Sequence, residues 1–231
     1  MKDQFPLNPP KGFTLIELLT VIAIIAVLAA IAFAAFGKVQ DGSKRTKSVS
    51  NLRQIGVLHQ QWINEHDGNM ITFAPIGENG SGAAWTLHFA VMIGLNKSVN
   101  TPPPLVTNAK GTIFENPFVK EAQSLAGHAG WGFNTELGIN SNPYQADYKR
   151  SVGLTHPSQT IAFGQTGYSL PTGWTNYISP NMQAPAEGAL YVRNDKTIIG
   201  WADGHVTLEP PSIATSTVQG KKNYYWLLRK D

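Results

Sequence analysis

A run of 24 residues, Phe13 to Phe36, carries only three polar side chains, Thr14, Glu17 and Thr20. No other segment restricts the chain so strongly. At about 1.5 Å per residue a helix over this run is about 36 Å long, against a bilayer hydrocarbon core of about 30 Å. It can cross a membrane with some tilt. A secretory signal peptide is one alternative, because Lys2 and Lys11 give a basic segment ahead of the run. The apolar region of such a peptide spans only about 7 to 15 residues and ends at small residues before a turn. Here "AAIAFAAFGK" passes into more helical sequence without a proline. A plain membrane anchor accounts for the length but gives Glu17 no purpose, since an acid at the centre of a membrane helix costs about 2.5 to 3.5 kcal/mol, and less near an end. Such a group calls for a partner. A free α-amine would serve, and cleavage before Phe13 would create one a single helical turn away.

Composition narrows the class further. Charged residues make up 14% of the 231 residues, against roughly 25% in an average soluble domain, while Gly, Asn, Thr, Ser and Pro are plentiful. That balance suits an exported, loop-rich β protein better than a cytosolic enzyme. The formal charge of +3 is too small and too scattered to argue for nucleic acid. With no cysteine, neither a disulfide framework nor a thiolate zinc site is available.

The stretch "KGFTLIE", Lys11 to Glu17, followed by the apolar helix, resembles the class III signal of type IV pilins and type II secretion pseudopilins. The resemblance implies cleavage after Gly12 by a membrane-embedded prepilin peptidase on the cytoplasmic side, and N-methylation of the new terminal residue, Phe13. It implies that Glu17 is a docking charge, neutralising the terminal amine of a neighbouring subunit as helices pack into a filament. A charge that is unfavourable in lipid becomes favourable when a second subunit supplies the opposite one, which ties assembly to register. The partners implied are further copies of the chain in a homopolymer or mixed filament, the peptidase and an inner-membrane assembly platform. The location implied is the bacterial inner membrane, single-pass with a periplasmic head, or outside once in a filament. Charge counting does not orient the helix, because Lys2, Lys11 and the α-amine face Lys38, Lys44, Arg45 and Lys47 across the run. Many relatives carry proline at the twenty-second mature position, where this chain has Ala34. Gly37 and Gly42 are the better candidates for any loosening of the helix, since glycine costs about 1 kcal/mol there.

Beyond Gly37 the helix is expected to run to about Glu65, with no proline between Pro10 and Pro75. Leu52, Ile55, Leu58, Trp62 and Ile63 fall on half a helical wheel, the pattern of a helix laid on a core. His59 lies inside that stripe and is expected to be packed and hydrogen-bonded. Asp67-Gly68-Asn69 stops the helix. The rod from Phe13 to Glu65 would be about 80 Å long at the standard rise. The organisation expected is a leader over 1–12, a transmembrane and filament-core helix over 13–36, the exposed half of the same helix over 37–66 and a β-rich head over 67–231. Short strands are expected around Thr112–Phe114, Trp131–Phe133, Thr160–Phe163, Ala189–Val192, Thr197–Ala202, His205–Leu208 and Tyr224–Leu228. "TPPPL" (Thr101–Leu105) and "NSNPYQ" (Asn140–Gln145) read as loops. The fold class is α+β, an antiparallel sheet wrapped on the exposed half of the long helix in a pilin-like layout.

"TIIGWADGHVTLEP" reads as a hairpin with a two-residue Asp203-Gly204 loop. That register puts Trp201 opposite Val206 and Ile199 opposite Leu208 on one apolar face, with Ala202 and His205 on the other. "ADGHV", with "NLRQIG" (Asn51–Gly56) and "HDG" (His66–Gly68), also resembles a pilin-like group common in planctomycetes and verrucomicrobia with a His-x9-Asp-Gly signature. Arg193 stands where that signature has its histidine.

No catalytic residue is assigned. The other histidines, His59, His66, His88, His128 and His156, show no metal-ligand spacing, and no nucleophile elbow or phosphate loop is present. No cofactor is expected. Calcium is the better chemical guess for a metal, because pseudopilins resembling this chain often hold Ca²⁺ in a C-terminal loop; Asn194, Asp195 and Asp203 are the local oxygen donors. Two readings of function stand. The chain is a structural filament subunit, or it is a minor pilin-like anchored module whose head, with Trp85, Trp131, Trp174, Trp201 and Trp226, engages a polysaccharide or partner protein. Exposure of those tryptophans discriminates the two.

Overall fold

The computed structural model describes residues 12–71, 85–95, 111–118, 130–134, 137, 154, 156–166, 168–169, 173–174, 177–178, 195–210 and 212–215. The chain divides into two compact units, Met1–Ser43 and Lys44–Asp231. One helix, α1 (Leu15–Glu65), begins in the first and ends in the second. In the first unit its large apolar side chains are exposed on every side, from Leu15 at 85% to Val39 at 68%. A helix apolar all round is built for hydrocarbon or for other helices. It is long and apolar enough to cross a membrane.

In the second unit the same helix becomes one-sided. Leu52, Ile55, Leu58, His59, Trp62 and Ile63 are buried, as their spacing predicts, while Val57 on the opposite side stays exposed. Full burial of each aliphatic side chain contributes roughly 1.5 to 3 kcal/mol. The helix ends in a Schellman turn: Asp67 takes φ +54° and the N–H of Gly68 donates to the carbonyl of Ile63 at 2.9 Å.

The stripe packs on a sheet built from β1 (Trp131–Asn134), β2 (Ile161–Gln165), β5 (Tyr177–Ile178), β6 (Thr197–Trp201) and β7 (Val206–Glu209), in the order β5-β1-β2-β6-β7. Each neighbouring pair among β1, β2, β6 and β7 is antiparallel, as expected, and β5 adds a parallel edge. A separate pair, β3 (Tyr168–Ser169) and β4 (Gly173–Trp174), completes the strands described. One sheet face supplies Phe133, Phe163, Ile198, Ala202 and Val206 to the core with α1, and a short helix α2 (Trp85–Met92) adds Trp85 and Phe89. The other face forms a smaller cluster of Ile161, Ile178, Ile199 and Trp201 under Ile213 of α3 (Ser212–Thr215). Leu52 explains the glycine in the middle of β6. A Cβ at Gly200 would lie 3.3 Å from the Leu52 Cγ, so the helix side chain seats where a strand side chain would stand.

Two expectations are corrected here. Thr112–Phe114 is a turn and not a strand. The N–H of Glu115 donates to the Thr112 carbonyl at 3.2 Å, and Asn51 Nδ2 on α1 donates to the Glu115 carbonyl at 2.7 Å. These bonds occupy backbone groups that a sheet would need. Lys47 adds an ion pair to the Glu115 carboxylate at 2.8 Å, which also accepts from the N–H of Gly111 at 2.7 Å. The second correction concerns His59. It is packed, edge-on to Phe133 and Phe163 with ring centres 5.5 and 5.2 Å away, but its Nε2 has no hydrogen-bond partner. The strands expected at 189–192 and 224–228, and the loops at 101–105 and 140–145, lie outside the described residues.

Burial strips the imidazolium of its hydration and pushes His59 down from 6.5 to about 3. Between those values the unfolded chain holds a proton on this ring that the folded chain does not, so stability is lost as pH falls through that window. Urea unfolding in neutral detergent should show a loss from this residue of up to about 1.4 kcal/mol per pH unit. His59→Phe should remove that component and leave a shallower profile; a profile unchanged in slope would place the pH dependence on the carboxylates instead.

Candidate functional site

The three polar side chains of the apolar run form one local network at the start of α1. Thr14 is the N-cap and Glu17 stands three residues on, the arrangement of a capping box. The backbone N–H and the hydroxyl of Thr14 donate to Glu17 Oε2 at 2.9 and 2.8 Å, and the N–H of Glu17 returns to Thr14 Oγ1 at 3.3 Å. Thr20 Oγ1 donates to the Glu17 carbonyl at 2.9 Å. Glu17 therefore has a partner within its own chain, beside the amine that the sequence reading expects. Its negative charge also faces the positive end of the helix dipole. Among the described residues Oε1 accepts no hydrogen bond, so one carboxylate oxygen is engaged and the other is open. Gly12 and Phe13 precede the cap outside any helix or strand and are exposed. The Thr-x-x-Glu spacing was the signal that could have revealed this cap.

Residues 8–33 match the family described as the prokaryotic N-terminal methylation motif. The match supports a type IV pilin-like protein and covers Gly12, Phe13 and Glu17 together. It suits a membrane-anchored, single-pass chain. No curated protein and no solved structure matches this chain.

The second region singled out by sequence is the β6–β7 hairpin. Its register pairs Ile199 with Thr207 and Gly200 with Val206, one residue away from the expected one. The loop has three residues, Ala202 to Gly204. The N–H of Gly204 donates to the Trp201 carbonyl at 2.9 Å and the N–H of Trp201 to the His205 carbonyl at 2.9 Å, with Gly204 alone at positive φ, +93°. This is a type I turn closed by a glycine bulge, which needs one left-handed residue and not two. Both faces of β6 are buried, so side-chain alternation could not decide the register. Trp201 and His205 consequently stack across the strands, 5.4 Å apart and 8° from parallel, and Asp203 accepts from His205 Nδ1 or pairs with its charged ring. Trp201 Nε1 donates to Thr207 Oγ1 at 2.7 Å.

The hairpin tip meets α1 at the segments that carry the second resemblance. Gln60 Nε2 donates to the Ala202 carbonyl at 2.6 Å, and a Cβ on Gly56 would lie 3.1 Å from the Gly204 carbonyl oxygen. "NLRQIG" and "ADGHV" are thus a helix and a loop in backbone contact. Arg193 and Asn194 lie outside the described residues. Asp195 and Asp203 flank opposite ends of β6, and the six residue steps from Asp195 to Trp201 span roughly 20 Å of extended chain. The structure does not bring these two carboxylates together around one ion. Among the described residues no group of three metal-ligating side chains occurs.

Alanine in place of a helical glycine ordinarily stabilises by about 1 kcal/mol. At Gly56 the methyl would press on a backbone held by two hydrogen bonds, and overpacking of this kind costs about 1 to 3 kcal/mol. Gly56→Ala should therefore lower urea stability by about 1 kcal/mol net. A gain in stability would show that the hairpin tip is free to withdraw from the helix.

Proposed function

We propose that the chain is a structural subunit of a type IV pilus-like or type II secretion pseudopilus filament, released from its leader by prepilin peptidase and assembled through α1. The observation that carries this reading is the helix start, where Gly12-Phe13 precedes a cap whose carboxylate keeps one oxygen open, within the matched methylation motif. Cleavage after Gly12 gives Phe13 a free amine, which the same peptidase methylates, and the open oxygen of Glu17 receives the amine of a neighbouring copy. The apolar surface from Phe13 to Val39 packs in the membrane before assembly and against other helices after it. The head faces the periplasm, as the motif implies.

The role is structural and not catalytic. In support, four of the described histidines have ring partners: His59 lies between two phenylalanines, His66 stacks on Trp62, His88 sits edge-on to Trp62 and His205 stacks on Trp201. Three of the five tryptophans named for an aromatic binding face favour this reading; Trp226 and the side chain of Trp174 lie outside the described residues. Trp85 and Trp131 are fully buried and Trp201 is 5% exposed, so these three serve the core and offer no platform to a ligand.

Mass spectrometry of the protein from membranes should find a terminal methyl-Phe13. Gly12→Ala should block maturation and leave the twelve-residue leader attached; normal shortening of that variant on a gel would reject the processing step. Glu17→Leu should still be cleaved yet fail to enter filaments when co-expressed with the assembly machinery. Polymerisation equal to that of the parent would rule out the docking role while leaving processing intact.

A further inference from the structure

The apolar run ends at Phe36, and charge begins two residues later on the same helix. Lys38, Lys44, Arg45 and Lys47 all fall within the next eleven residues of α1, with one acid, Asp41, among them. Lys38, Lys44 and Lys47 are exposed and Arg45 is half-buried. Lys47 is committed to the head through its 2.8 Å ion pair with Glu115. Glu115 thus balances Lys47 and Asp41 offsets one cation more, which leaves the segment with two positive charges in excess. Topology does not account for that excess, because Lys2, Lys11 and the α-amine ahead of the run nearly balance it. Gln40 and Ser43, also exposed, add uncharged donors to the same surface.

We infer that this segment is a contact surface for anionic phospholipid headgroups, in the leaflet where α1 leaves the membrane on its C-terminal side. The segment continues the helix that is apolar enough to span, so connectivity alone keeps it at the membrane surface. At the standard helical rise Lys38 stands about 3 Å beyond Phe36, inside a headgroup layer about 5 to 7 Å deep. Lys44 and Arg45 stand about 12 to 14 Å beyond it. Every Cα–Cβ bond of a helix tilts toward the N-terminus, which here is the bilayer side, so these long side chains start out toward the phosphates. Tilt of a span longer than the hydrocarbon lowers them further.

The chemistry selects the lipid. A guanidinium offers paired N–H donors that match phosphate oxygens, and an ammonium adds a point charge. Phosphatidylcholine carries a cation of its own beside each phosphate and has no net charge to offer. Phosphatidylglycerol has the same phosphate with nothing to offset it, and basic residues next to a span are attracted to a surface of that kind. The inference rests on a membrane-anchored α1, and it is independent of which leaflet is involved, of leader removal and of filament assembly.

The full chain in phosphatidylcholine bicelles, with phosphatidylglycerol introduced stepwise at constant ionic strength, should show saturable NMR shifts at the backbone amides of Lys38 and Lys44 and at Arg45 Nε–H. Lys38→Gln and Lys44→Gln should each weaken the response about fivefold, the factor for one cation near an anionic surface, while Lys38→Arg retains it. Salt at about 1 M, where the screening length is about 3 Å, should flatten the response in the parent. No saturable shift, or equal responses in the parent and both glutamine variants, would overturn the surface. Glycerol phosphate added to neutral bicelles tests the headgroup free of its membrane; shifts matching those of the lipid would identify a soluble phosphate ligand and reject the lipid. Shifts that follow protein concentration and ignore lipid composition would assign the cations to an acidic face of a second copy, which also rejects it. Because the response is read on single chains without peptidase, its failure leaves processing and assembly standing, and theirs leaves it standing.

Discussion

The head is held to the helix by a backbone contact that only glycine permits. Gly56 on α1 lies against Gly204 in the hairpin loop, and one turn earlier Leu52 fills the space that Gly200 leaves in β6. These approaches let the sheet lie close enough for Ile55, His59 and Trp62 to be buried, and so for Phe133 and Phe163 to close over them. A methyl at either glycine would press on its neighbour, 3.1 Å from the Gly204 carbonyl oxygen or 3.3 Å from the Leu52 Cγ, and would need the two layers to give way locally. The buried nitrogen of His59, without a hydrogen-bond partner among the described residues, belongs to the same arrangement and is a cost that the surrounding aromatic packing offsets.

The first turn of α1 solves a different problem with polar atoms. Helix N-termini leave backbone N–H groups unpaired, which is far more unfavourable in hydrocarbon than in water. Thr14 and Glu17 satisfy two of these donors by bonding to each other. The glutamate thus has a conformational role in a single chain beside any role between chains. With Oε2 engaged in the cap and Oε1 open among the described residues, the acid can hold its own helix together and still offer a contact outward.

Much of this was written in the sequence, and the exceptions share a cause. The end of α1 at Glu65 and its buried stripe follow from periodicity and from Asp67-Gly68, all local signals. β1, β2, β6 and β7 sit where β-branched and aromatic runs place them. The hairpin register was misread because Ile198 and Ile199 are both buried, one on each face, so alternation carries no information and the loop geometry decides. Thr112–Phe114 has strand-like residues, yet its backbone is claimed by Asn51, 61 residues away along the chain. "WTLHFAVM", apolar on all sides, is a helix whose period cannot be seen, so α2 was not anticipated. At the helix start the Thr-x-x-Glu spacing was visible; reading Glu17 only as a membrane charge concealed its capping partner.

Every atom of the cap belongs to Thr14 or Glu17, downstream of the Gly12–Phe13 bond. A cut at that bond, as proposed, would add a positive terminus and leave each of these cap bonds in place. Substrate and product would then begin their helices alike and differ in the electrical character of the chain end ahead of them.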